Sequence, residues 1–497
     1  MTEQGQGATA ETRRPPAAPT PPGADGPAPG ATPGGRIRLP RFPRGSRLDP
    51  YLLAVAFFAV YTAISVSRYV RHENRSWDLG IFEQVVASYA RLEAPVSDLK
   101  GPDFPILGDH FSPVTALIAP FYRLFPTPVT LLVVQAALFA LAVVPVTRAA
   151  ALLLGRGPGA AIGAAYGLSW GVQRAVDFDF HEICFAVPLI AFALEAVLRE
   201  RWLAALGLAL PLLLVKEDLG VTAAAIAAVV AVRTWHSRPR VASAALGTAA
   251  LCVAVCALTI AVVIPAFNTG GEYDYWTKIG EGDGGGPVSL LLTGAEEKFR
   301  TLLWILVPTT GLLALRSPLL IVALPTLAWR FVSAEPHYWS TDWHYSAVLM
   351  PIAALALTDA VARSRSSVRP RLRAYARQLP TAVLAGALGL STALPAGTLT
   401  EAATYRQSPV AQAGERVLAA VPDDATVAAN VRPIAHLTQR CRVFWIGDTG
   451  DVVPEYIAYY DPQQTEESLL EYARQLYPEV PNPEVVAAEA GYWVLRL

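Results

Sequence analysis

The stretch "YLLAVAFFAVYTAISVSRYV", Tyr51 to Val70, is long and apolar enough to cross a bilayer, for which about 20 mostly apolar residues are needed. It is not alone. About eleven runs of this kind occur between Tyr51 and Pro395, some interrupted by Gly or Pro. With 53% hydrophobic and 16% charged residues, the chain carries far more apolar sequence than a water-soluble core would bury. A polytopic membrane protein, mainly α, follows: a helical bundle of about eleven spans over residues 50–396.

The first span is too long for a signal-peptide core and lacks a convincing cleavage site, so it is expected to stay. Before it stand the basic flank 37–49, most of which is the stretch "RIRLPRFPRGSR", and a tail, 1–36, of Pro, Gly and Ala. The tail has too few aliphatic residues to repay chain entropy and is expected to be disordered. The flank sets the N-terminus in the cytoplasm. Further spans are expected near 128–152, 159–175, 183–199, 201–215, 218–235, 241–265, 300–316, 317–332, 344–362 and 379–396. Loops then assigned to the inside carry Arg156, "RER" at 199–201, "RTWHSRPR" at 233–240, Arg316 and "RSRSSVRPRLRAYAR", as the positive-inside rule requires. An odd span count leaves the C-terminus external. Residues 397–497 return to soluble character, with short strands in "ATVAAN", "CRVFWIG", "EYIAYYD" and "GYWVLRL" and a helix in "EESLLEYARQLY". They are expected to form a small external α/β domain.

A net charge of −1, with Lys and Arg grouped in short loops, gives no footprint for nucleic acid; the expected partners are membrane lipids. Four cysteines supply neither a disulfide framework nor a thiolate metal motif. The glycine cluster "EGDGGGP", 281–287, neither follows a strand nor opens a helix, and reads as a loop rather than a nucleotide site.

Ionisable groups at a membrane are costly and point to function, and here they gather in the loops assigned to the external face. "SWDLGIFEQ" holds Asp78 and Glu83, "GDHFSPV" holds Asp109 and His110, and "DFDFHE" holds Asp177, Asp179, His181 and Glu182. "KED" holds Lys216 and Glu217, and "AEPHYWSTDWHY" holds His337 and His344. Asp78 precedes Leu79, Phe82, Val86 and Tyr89, one face of an amphipathic helix suited to the interface, and an acid there is also an ordinary N-cap. Lys216 serves equally as a snorkelling turn residue or a phosphate ligand. Arg330, inside an expected span, wants a phosphate or carboxylate. His337 and His344 join an aromatic belt or hydrogen-bond a lipid phosphate or sugar. Asp78, Asp109, His110 and His181 make a mixed donor set suited to Mg²⁺ or Mn²⁺ more than to zinc, although no ligand spacing marks it.

In that order, "WDLGIFEQ", "GDHFSP", "DFHE", "KED" and "HY" resemble a bacterial membrane-protein family, DUF2079, over roughly residues 50–490. The family in turn looks like the GT-C class of membrane glycosyltransferases, which take a sugar from a polyprenyl-phosphate donor at the external face. Members commonly carry an essential Asp in the first external loop, just after span one, sometimes beside an interfacial helix. Asp78 matches that place, while the paired acids of some members are missing. The resemblance implies Asp78 as the catalytic base and, more weakly, Asp109 and His110 at the site; with that chemistry, Lys216, Arg330, His337 and His344 are expected toward the donor phosphate or sugar, and the other named acids and imidazoles are expected to line the site. The acceptor would be a cell-envelope component. A scaffold or sensor using the tail is the rival reading; a transporter would show duplicated halves with polar groups near the midplane.

Overall fold

The structure is a computed structural model and describes residues 47–276 and 287–497. The expectations for 1–36, for the flank up to residue 46 and for nearly all of "EGDGGGP" lie outside those residues. Helices, in chain order, are α1 (Asp49–Val70), α2 (Asp78–Arg91), α3 (Pro128–Leu154), α4 (Arg156–Gly167), α5 (Trp170–Asp177), α6 (Ala186–Leu198), α7 (Trp202–Ala209), α8 (Leu219–Thr234) and α9 (Pro239–Leu258). They continue with α10 (Ala295–Thr310), α11 (Leu324–Val332), α12 (Leu349–Ser364), α13 (Pro370–Ser391), α14 (Pro409–Leu418), α15 (Val431–Leu437) and α16 (Glu466–Leu476).

Among the described residues four helices are long and apolar enough to cross a membrane: Asp49–Val70, Pro128–Leu154, Pro239–Phe267 and His344–Ser364. Trp202–Leu214, Leu219–Thr234 and Pro318–Val332 are apolar but shorter. The expected count of eleven is therefore not met by that measure, and the reason is local. The run at 159–175 is split into α4 and α5 at Leu168 and Ser169, and the run at 300–316 stops where Gly311 takes a left-handed φ of 52°. The run at 379–396 is largely the second half of α13, whose first half carries Arg371, Arg373 and Arg377 of the basic loop.

Long α3 sits centrally, packed by α1, α4, α6 and α12. Small residues let it do so: Ala136, Ala140, Ala142, Ala149 and Ala150 are buried, and any Cβ on Gly163 of α4 would meet the Thr147 hydroxyl oxygen at 2.0 Å. One end of the bundle is tied by ion pairs from the basic segments: Arg156 with Asp49, Arg148 and Arg199 with Glu195, and Arg233 and Arg363 with Asp359. At the other end Arg68 of α1 meets Asp177 of α5 at 2.5 Å.

The C-terminal residues form a five-stranded sheet in the order β2-β1-β3-β5-β4, from β1 (Thr426–Ala429), β2 (Arg442–Trp445), β3 (Tyr456–Tyr460), β4 (Glu484–Glu489) and β5 (Tyr492–Arg496). β1 pairs in parallel with β2 and β3; β5 runs antiparallel to β3 and β4. Its core is not closed on itself. Ile81 and Val85 of α2, with Leu99 and Ile106, join Val417, Val427, Ile434, Val443 and Val494, while Leu79, Phe82, Val86 and Ala90 of the same helix enter the bundle core. The expectation that α2 lies in the lipid interface on one apolar face is corrected: it has two, and the C-terminal domain covers the second. Gly80 marks the closeness, since a Cβ there would come within 2.3 Å of Ile434 Cγ2.

Candidate functional site

Asp78 is the first residue of α2, not its cap. Trp77 holds the N-cap position without a side-chain hydrogen bond, and the Ser76 hydroxyl accepts from the Asp78 N–H at 3.0 Å. The local backbone need is therefore met by Ser76, and the carboxylate is left to face a cavity of about 360 Å³. Among the described residues no Lys, Arg or His forms an ion pair with it. Burial raises its pKa above the usual carboxylate range; His181, the Ser76 hydroxyl and Lys216 act against that without cancelling it.

The same cavity is lined by Asp109, His110, His181, Lys216, Glu217 and His344, from four further loops. Each is held by a neighbour. His110 Nδ1 lies 2.7 Å from Glu217 Oε1, and the other Glu217 oxygen accepts from the Phe111 N–H at 3.1 Å. Lys216 donates to Glu182 at 2.9 Å, and His181 Nδ1 lies 2.7 Å from the other Glu182 oxygen. The His181 ring stacks on His344 with centroids 3.7 Å apart. Lys100 meets Asp109 at 3.2 Å. Burial alone would push Glu182, Glu217 and Asp109 upward, yet their cationic neighbours hold all three below the usual range. Lys216 is raised: burial opposes its charge, and Glu182, Glu217 and Asp218 more than restore it.

Backbone contacts fix this geometry. "GDHFSP" needs its glycine because Gly108 lies against the backbone of Phe267 and Asn268, where a Cβ would approach within 2.6 Å, and Asn268 donates to the Gly108 carbonyl at 3.0 Å. The opposing segment follows a π-helical turn at Thr259–Val263, which supplies Ile260 to the wall. Asp179 has a φ of 89° and accepts from the N–H groups of Arg75 and Ser76 at 2.9 and 3.3 Å, so it anchors the strand of chain that leads into Asp78.

Several expected site residues stand elsewhere. Asp177 is clamped by Arg68 and Arg75, and Asp179 is spent on the 74–76 backbone; neither lines the cavity. Glu182 is wholly buried behind Lys216 and His181. Glu83 points between bundle and C-terminal domain, accepting from Tyr122 at 2.9 Å and from Thr438. His337 is 67% exposed at its side chain, away from the cavity. Arg330 is fully buried, and its three nitrogens donate to the Tyr338 carbonyl at 2.7 Å, the Ser346 hydroxyl at 3.1 Å and the Ser340 carbonyl at 2.9 Å. It has found its partners in a loop rather than in a phosphate.

Other lining residues carried little sequence signal. Tyr273 and Tyr275 donate to Glu217 at 3.1 Å and Asp109 at 3.3 Å, and Tyr338 and Tyr345 complete an aromatic side. The alternation in "EYDYW" at 272–276 was the available cue. Asp218 lines the cavity too, with Oδ1 buried and unpartnered and its pKa raised to about 6, by burial first and Glu217 second. For a metal the donors do not fit: His110 and Asp109 are committed to Glu217, Lys100 and Tyr275, and among the described residues no three His, Cys, Asp or Glu side chains come together to hold an ion.

The family described as "Predicted membrane protein (DUF2079)" matches residues 73–481. The chain belongs to the DUF2079 family. That span takes in α2, every loop of the cavity and most of the C-terminal sheet, so the family's sequence pattern and this site coincide. No curated protein matches the chain. Among solved structures it is similar to ArnT from Cupriavidus metallidurans bound to undecaprenyl phosphate, at 13% identity and a TM-score of 0.51, covering 90% of this chain and 98% of that one. The apo form of the same protein aligns at 13% identity and a TM-score of 0.47, covering 90% and 97%. At such identity the likeness of this DUF2079 protein to that structure is one of fold.

Proposed function

We propose that this DUF2079 protein is a GT-C-like membrane glycosyltransferase, moving a sugar from a polyprenyl-phosphate donor to an acceptor at the external membrane face. The observation that carries the reading is the convergence of four loops and the start of α2 on one cavity in which Asp78 is free of ion pairs while Asp109, His110, Lys216 and Glu217 are each held by a charged neighbour. The fold shared with ArnT, which has been solved with undecaprenyl phosphate, supports a polyprenyl lipid as the donor carrier.

In the reaction the acceptor hydroxyl attacks the anomeric carbon and gives its proton to the Asp78 carboxylate. The bond from that carbon to the phosphate oxygen breaks, and the phosphate leaves with the electron pair. A carboxylate with a raised pKa is a stronger base than an ordinary one. Lys216, kept charged by Glu182, and Lys100 beside Asp109 supply positive charge toward the departing phosphate. Tyr273, Tyr275, Tyr338 and Tyr345 offer hydroxyls and ring faces to the sugar.

Purified protein in nanodiscs, titrated with undecaprenyl phosphate, tests the donor assignment. Binding that weakens about tenfold or more in Lys216→Gln is the expected result, a charge-assisted hydrogen bond being worth about 1.5–3 kcal/mol. Absence of binding to wild type, or equal binding by the variant, contradicts it and favours a scaffold.

A further inference from the structure

A second crevice opens in the C-terminal domain. From β1 the chain passes through α15 to β2 on one side, and from the neighbouring β3 it passes through α16 to β4 on the other, so the connections diverge at the carboxyl ends of β1 and β3. Open α/β sheets bind ligands at such reversals. Here Asn430 follows β1, Trp445 ends β2 and Tyr460 ends β3, and together they border a space of about 510 Å³.

Its walls are unusual for a crevice in a small sheet. Tyr459 and Tyr472 join Trp445 and Tyr460, all only partly covered. The Arg432 guanidinium lies 4.1 Å from the Tyr460 ring centre and has no acidic partner among the described residues. Asn74, just beyond α1, is 8% exposed and presents a buried amide oxygen with no hydrogen-bond partner. Electron-rich ring faces suit the positively polarised C–H face of a sugar, and a guanidinium without an acidic partner suits an acidic substituent on it. The crevice also adjoins the first cavity: Trp445 packs edge-on against Trp77, 4.6 Å between ring centres, and Trp77 lines the space that Asp78 faces.

We propose that this crevice is a carbohydrate-binding subsite, with Arg432 taking a carboxylate or phosphate carried by the sugar. Resting on the transferase reading, it would hold the acceptor glycan beside the cavity; as a sugar site it stands without that reading.

The test uses the full chain in nanodiscs and four soluble probes: mannotriose, arabinotriose, galactotriose and trigalacturonic acid, followed by saturation-transfer NMR and titration. At least one should bind, Tyr459→Ala and Tyr472→Ala should each weaken it about tenfold, and Arg432→Gln should weaken trigalacturonic acid more than any neutral probe. Silence from all four probes overturns the proposal, as does unchanged affinity in the tyrosine variants. Should those variants fail to fold, Arg432→Gln decides alone, and equal loss or no loss across probes overturns the assignment. Sugar binding without binding of undecaprenyl phosphate would sink the transferase reading and leave the subsite; the reverse result would sink only the subsite.

Discussion

A charged residue in an apolar protein declares its role by what it is bonded to. Arg330 and Asp78 look alike in sequence, each an ionisable group at the edge of a long apolar run, and the structure separates them. Arg330 spends its nitrogens on two carbonyls and a hydroxyl of the 338–346 loop, so it holds Tyr338, Tyr345 and His344 in place against the cavity. Replacing it with Gln leaves buried acceptors unpaired, and thermal unfolding should show a loss on the order of 2–4 kcal/mol. Affinity for undecaprenyl phosphate should fall less than in Lys216→Gln. A variant of normal stability with greatly weakened lipid binding would restore Arg330 as a phosphate ligand. Asp78 is the converse case: its backbone need is met by Ser76, which frees the carboxylate.

At the scale of the element, α2 joins the two halves. Its fourteen residues bury one apolar face in the bundle and one in the C-terminal domain, and Glu83 sits between them, reached by Tyr122 on one side and Thr438 on the other. Burial raises the Glu83 pKa to about 8, against the two hydroxyl bonds that favour its charge. A carboxyl whose folded pKa exceeds its unfolded value of about 4.3 favours the fold when protonated. Its contribution is therefore full below about pH 4.3 and is lost as pH rises through about 8. Protease resistance of the C-terminal domain should be greater at pH 5.5 than at pH 8.5, and Glu83→Gln should flatten that difference. An unchanged pH slope in the variant would show that Glu83 does not govern the docking.

For the whole molecule, apolar runs, motif order and the alternating strands of the tail were legible because each is a local pattern. β1, β2, β3, β5 and α16 stand where "ATVAAN", "CRVFWIG", "EYIAYYD", "GYWVLRL" and "EESLLEYARQLY" lie. β4 was not legible, since "EVVAAE" is an edge strand with four of its six residues exposed. Nor were α14 and α15, short helices whose apolar faces are defined only by the sheet they cover. Within the site, Asp78, Asp109, His110, His181, Lys216, Glu217 and His344 share a cavity as the clustered motifs suggested, whereas Glu83, Asp177, Asp179, Glu182, Arg330 and His337 do not line it. Sequence cannot say which of two neighbouring acids is already paired. Asp218, overlooked between a paired Glu217 and the start of α8, shows the same limit from the other direction.

The most direct test of the account is transfer of sugar from a synthetic polyprenyl-phosphate donor by wild type, Asp78→Asn and Asp218→Asn, measured across pH in nanodiscs. Asp78→Asn should lose at least about a hundredfold in rate, the contribution typical of a general base, while still binding undecaprenyl phosphate, and Asp218→Asn should keep measurable turnover. The wild-type rate should fall as pH drops through the raised pKa of Asp78, above the usual carboxylate value of about 3.9. Full activity in a folded Asp78→Asn variant would contradict the assignment of Asp78 as the base.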